Sequence, residues 1–161
     1  MAYRNILLAY DGSSEGRRAL LEGTEIAKRF DAMTHLLAVI KPDVGTGMAQ
    51  GLAAAEPGEK TQYYQGTLNE GVKFLKSHGL EAEGHVVHGE PVDEIVKFAK
   101  RVSADLVVVG HRTRGTLARW WTTPTSMSLL DKLECSLLIG MQEADLSVLP
   151  TAGLIRRQRL R

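Results

Sequence analysis

The sequence predicts a single-domain α/β protein: three layers, with a parallel sheet covered by helices on both faces. Three observations predict it. Apolar runs of strand length alternate along the chain with stretches whose apolar residues recur at helical spacing. The runs Ile6-Leu7-Leu8-Ala9 and Leu106-Val107-Val108-Val109 are apolar at every position, as strands buried on both faces require. Turn residues punctuate the strand ends, in Asp11-Gly12-Ser13-Ser14, Gly89-Glu90-Pro91 and Gly110. At 161 residues the chain is long enough to bury one substantial core.

The elements follow in order. Residues 4–10 form the first strand, and the turn after it offers a helix N-cap. A helix over 14–30 places Ala19, Leu20, Gly23, Ile26, Ala27 and Phe30 on one stripe. A second strand spans 34–40, and a loop rich in glycine and alanine spans 41–56. A helix over 59–77 turns Tyr63, Leu68, Val72 and Leu75 to the core and stops at His78-Gly79. The third strand covers 82–88. Pro91 then opens a helix over 92–102, since its missing N–H has no intrahelical partner there. The fourth strand runs to Gly110, a short helix covers 125–133, and Cys135 opens a fifth strand that Gly140 closes. The domain therefore occupies 1–140, and 141–161 is a tail without helical or strand pattern.

Composition excludes several classes. A net charge of +1 gives no overall field for nucleic acid or membrane, so no DNA partner is expected. No apolar run reaches the ~18 residues of a membrane span, and Met1 to Asn5 does not open a signal peptide. The single cysteine, Cys135, fits a reducing cytoplasm and a buried structural thiol, with redox sensing as the alternative.

In an open α/β sheet, ligands bind beyond the carboxyl ends of the strands. Two segments are placed for this. In the first, Asp11 can accept from a ribose hydroxyl or hold a metal and Ser13 can meet a phosphate, against the plainer role of a capped tight turn. In the second, Gly110 is followed by Arg112, Arg114 and Arg119, whose basic cluster beside Trp120-Trp121 is not specific for nucleic acid. Gly12-Ser13-Ser14-Glu15-Gly16 also fits the G-x-S-x-G elbow of serine hydrolases with Ser14 as nucleophile. Asp105 and His111 follow in the required chain order, but Asp105 starts its strand at the far end of the sheet. His85 and His88 lie three apart in a strand, face opposite ways and cannot share an ion, so no metal site is expected. His35 and His78 read as ordinary loop or helix-end residues, and no catalytic residue is assigned.

Three pieces together resemble the universal stress protein family over about residues 1–140. They are Asn5-Ile6-Leu7-Leu8-Ala9-Tyr10-Asp11-Gly12-Ser13, then Val87-His88-Gly89-Glu90-Pro91, then Ala104-Asp105-Leu106-Val107-Val108-Val109-Gly110 with Cys135-Ser136-Leu137-Leu138-Ile139. The resemblance implies a five-stranded parallel sheet of order 3-2-1-4-5 and a homodimer through the last strand, Cys135 to Gly140. In the family's ATP-binding branch, adenosine lies beside the DGS turn and strand two, where Val39 stands, with phosphates over the fourth-strand loop. That loop has the form G-x2-G-x9-G-(S/T). Here Gly110 matches, but Thr113, Thr123 and Pro124 replace the rest. The lost glycines deny phosphate a close backbone approach, and Pro124 removes an N–H donor. Gly115, Arg112 and Ser126 are the nearby compensations. The resemblance thus implies a stress-response regulatory module with weakened or lost ATP binding. An adenine-nucleotide binder (ATP with Mg, ADP or AMP) with slow hydrolysis is the alternative, and a small serine hydrolase the second. The tail ends with four arginines among Ile155-Arg156-Arg157-Gln158-Arg159-Leu160-Arg161, a candidate contact for a protein partner.

Overall fold

The computed structural model describes residues 2–41, 57–111 and 129–141. Within them the strands are β1 (Asn5–Ala9), β2 (Met33–Ile40), β3 (Ala82–His88), β4 (Leu106–His111) and β5 (Ser136–Met141). The helices are α1 (Ser14–Phe30), α2 (Pro57–Ser77), α3 (Pro91–Arg101) and a single turn, α4 (Leu129–Lys132). All neighbouring strands pair parallel, in the order β3-β2-β1-β4-β5. This is the α/β sheet of order 3-2-1-4-5 that the sequence and its resemblance called for.

Strand alternation divides the core in two. Ile6, Leu8, Leu36 and Val108 point to the face covered by α1 and α2, while Leu7, Leu37, Val107 and Val109 point to the face under α3 and α4. Ile6, Leu7 and Leu8 are 0–1% exposed, which explains why the run Ile6-Leu7-Leu8-Ala9 of the first strand is continuously apolar. Each such side chain contributes about 1.5–3 kcal/mol by its burial. The strand starts are held by Asp105, whose carboxylate Oδ2 accepts the backbone N–H groups of Arg4 and Asn5 at 2.7 and 2.9 Å.

Several expectations shift. Tyr63 is half-exposed rather than in the core. The stripe of α2 is Tyr64, Leu68, Val72 and Leu75, and residue 63 lies one position, about 100°, off that line. Phe30, in the last turn of α1, remains 40% exposed and meets Tyr3 edge-on at 5.1 Å. β1 is shorter than 4–10, and α3 begins one residue earlier than expected, on Pro91 itself. β5 begins after Cys135, so this residue precedes the strand it was expected to open. Burial raises the Cys135 thiol pKa, with Asp105 and Glu134 adding to the effect, which fits a structural thiol. Of the helix expected over 125–133, only Leu129–Lys132 falls among the described residues as helix.

Candidate functional site

The turn after β1 is built from hydrogen bonds that its sequence dictates. Gly12 takes φ 77°, a left-handed conformation that glycine adopts without strain. Ser13 is the N-cap of α1, with its Oγ accepting the Gly16 N–H at 3.0 Å. Asp11 Oδ1 accepts both the backbone N–H of Ser13, at 2.9 Å, and the Ser13 hydroxyl. The capping role expected for the turn is therefore present, and one oxygen of Asp11 is engaged in it.

Beyond the turn, the carboxyl ends of β1, β2 and β4 open into a crevice. Asp11, Val39 and Gly110, three of the residues expected at a nucleotide site, line it together. Ala9 and Val109 give it an apolar floor, and Tyr64, Pro91 and Lys41 stand around it. An apolar floor suits the flat face of a base, and a carboxylate at the side suits a hydroxyl. Gly12 is placed differently: it faces α2, where a Cβ would meet Thr67 Cγ2 at 2.8 Å. Ser13 is occupied by its cap. Arg112, Gly115 and Ser126 lie outside the described residues.

Lys41 was missed in the sequence because the loop it opens carries no motif. Its Nζ lies 2.9 Å from Glu90 Oε1, bringing the glycine–acid–proline turn to the crevice mouth. Tyr10 sits beside the crevice with its hydroxyl pKa raised, first by burial.

The hydrolase constellation does not assemble. Asp105 is tied to Arg4 and Asn5 at the amino end of β1, whereas Ser14 opens α1 beyond that strand's carboxyl end. The two are separated by the length of the sheet, as the place of Asp105 at the start of its strand implied, so Asp105 does not serve Ser14 as a triad acid.

The histidines divide as the alternation demands, with one exception to expectation. His88 Nε2 faces Thr61 Oγ1 of α2 at 3.5 Å, while His85 packs on Phe98 of α3 with ring centroids 4.7 Å apart. These two indeed face opposite ways. His78 follows α2 and its Nδ1 lies 2.8 Å from the Phe74 carbonyl, as a helix-end residue. His35 is no loop residue: it is buried in β2, with its ring 5.8 Å from that of His85. The sequence alone gave no register between β2 and β3, and that register (His35 opposite Glu83, Leu37 opposite His85) brings the two histidines together.

Among the described residues, no helix is long and apolar enough to cross a membrane. Comparison with known proteins agrees with the architecture. A putative universal stress protein of Staphylococcus aureus is 28% identical over 146 residues, which cover 89% of this chain and 87% of that one. The solved structure of the universal stress protein from Archaeoglobus fulgidus in complex with dAMP superposes with a TM-score of 0.64 at 25% identity, covering 86% of this chain and 98% of that one. A family protein from Arabidopsis thaliana with AMP bound superposes with a TM-score of 0.61 at 22% identity, covering 88% and 94%. The family model described as "Universal stress protein family" matches residues 2–139, all of the sheet and its helices but the last two residues of β5. The chain belongs to the universal stress protein family.

Proposed function

We propose that this protein is a cytoplasmic, homodimeric regulatory module of the stress response that takes an adenosine monophosphate in its crevice and holds ATP only weakly. One observation carries the proposal. Asp11, Val39 and Gly110 line one crevice, which suits a nucleoside, while Thr113, Thr123 and Pro124 stand in the sequence where the family's phosphate loop calls for two glycines and a hydroxyl residue. A monophosphate makes fewer demands on that loop than a triphosphate. The relatives solved with dAMP and AMP support the same ligand class.

Calorimetry with AMP, and with ATP in the presence and absence of Mg2+, tests the proposal. AMP is expected to bind about tenfold or more tightly than ATP, a difference of ~1.4 kcal/mol. Tight ATP binding by the unaltered protein would overturn it. The dimer is supported by β5, an edge strand on which Leu137, Leu138 and Ile139 are only half-buried within one chain. The arginine-rich end of the 141–161 tail is proposed to contact an acidic protein partner.

A further inference from the structure

We propose that His35, Glu83 and His85 form a binding site for a divalent transition-metal ion, Zn2+ by ligand type, at the β2–β3 edge of the sheet. One potential ligand atom from each of the three residues lies within 4.8 Å of the others. His85 Nε2 is 3.6 Å, and His35 Nδ1 4.0 Å, from Glu83 Oε2. Both separations are too long for hydrogen bonds. Accordingly, His35 Nδ1 and His85 Nε2 are buried nitrogens without a hydrogen-bond partner. Two such nitrogens aimed at one carboxylate are costly without an ion and well matched with one. A tetrahedral ion about 2.0–2.2 Å from each ligand would set the ligand atoms roughly 3.3–3.6 Å apart, so that the pairs, now within 4.8 Å, would close by up to about 1.5 Å.

The surroundings favour the ligand form of the imidazoles. Burial is the leading cause that lowers the pKa of both rings, which favours the uncharged imidazole that a metal ion binds. Phe98 walls the site, with its centroid 4.7 Å from His85 and 6.3 Å from His35. Arg101 is the opposing group: its guanidinium lies over the Phe98 ring at 4.0 Å and would repel an ion. Glu83 supplies one compensating charge and is exposed, leaving an entry path and a coordination position for water. The cluster lies four residues, roughly 13 Å, back along β2 from Val39, so it is separate from the crevice.

Titration of the tag-free full chain with Co2+, read by visible absorption and then displaced with Zn2+, tests the site. The expected result is one ion per chain, with affinity reduced tenfold or more by His85→Gln and by Glu83→Gln. Arg101→Gln should tighten binding by roughly threefold, the scale of one partly exposed charge pair. His78→Gln and His88→Gln should leave it unchanged. Far-UV circular dichroism checks the fold of each variant, and if either His85→Gln or Glu83→Gln does not fold, the other decides. The proposal is overturned if the unaltered chain takes up no Co2+ at tens of micromolar (a common affinity scale). It is equally overturned if His85→Gln and Glu83→Gln bind as the parent does, or if His78→Gln or His88→Gln abolishes uptake instead.

Discussion

Asp105 and Asn5 hold each other twice: the Asp105 N–H donates to the Asn5 carbonyl at 2.9 Å, and Asp105 Oδ2 accepts the Asn5 N–H at 2.9 Å. The same carboxylate oxygen accepts the Arg4 N–H, so a single side chain fixes the start of the central strand. The bonds from Asn5 and then Arg4 hold the Asp105 carboxyl below the usual aspartate range. Asp105→Ala should cost about 1–2 kcal/mol at pH 7, the lower part of the range for bonds to a charged group because the site is near solvent. Since the folded pKa is depressed, this stabilisation is present above the ordinary aspartate pKa and is lost as pH falls through the folded value. Urea unfolding of Asp105→Asn should therefore differ from the parent at pH 7 and converge with it in acid.

Gly12 meets two constraints at once, a left-handed φ of 77° and the methyl of Thr67. Gly12→Ala should destabilise by about 1–3 kcal/mol. Adding Thr67→Ser removes Cγ2 and should recover the contact part of that loss, but not the conformational part. A double-mutant cycle by thermal unfolding checks the division.

Restoring the phosphate loop should restore ATP binding. Thr113→Gly, Thr123→Gly and Pro124→Ser together are expected to tighten ATP by about tenfold or more, since each unpaired phosphate oxygen costs roughly 1–3 kcal/mol. AMP affinity should change much less. Side-by-side calorimetry of both nucleotides shows whether the gain is confined to the triphosphate.

At the opposite edge of the sheet, Leu138→Lys places a charge on β5, where the proposed two-fold partner would pair. Sedimentation should show a dimer for the parent and monomer or aggregate for the variant. A monomeric parent at tens of micromolar, within the range of ordinary affinities, would count against the dimer.

Deletion of 142–161 separates two roles for the tail. Unchanged melting temperature with loss of partner capture at low salt is the expected outcome. A lowered melting temperature would instead mean that the tail leucines Leu146, Leu149 and Leu154 pack on the sister subunit of the proposed dimer.

Where local chemistry decides the structure, the sequence was legible. Continuous apolar runs marked β1 and β4, Ser13 marked a cap, and Gly79, at φ 82°, marked the end of α2. What could not be read depended on distances between elements. Tyr63 and Tyr64 are equally apolar neighbours, and only the phase of α2 against the sheet decides which is buried. His35 and Glu83 are 48 positions apart and become neighbours through the β2–β3 register. Likewise, Asp11, Val39 and Gly110 come from three strand ends, and only the strand order gathers them around one crevice.

A Cβ built on Gly140 would lie 3.0 Å from the Ala19 Cα and 3.2 Å from its Cβ. The backbone of β5 therefore rests closely against α1, and a side chain at 140 fits only if the helix gives by a few tenths of an ångström. Sequence drift at these two sites cannot be independent. A larger residue at 140 would press on the backbone of α1, and the strain would reach both the helix whose first turn is capped by Ser13 and the edge offered to a second chain. The two smallest side chains thus set the spacing of a layer, and a substitution catalogue of this protein should show them as intolerant as any buried leucine.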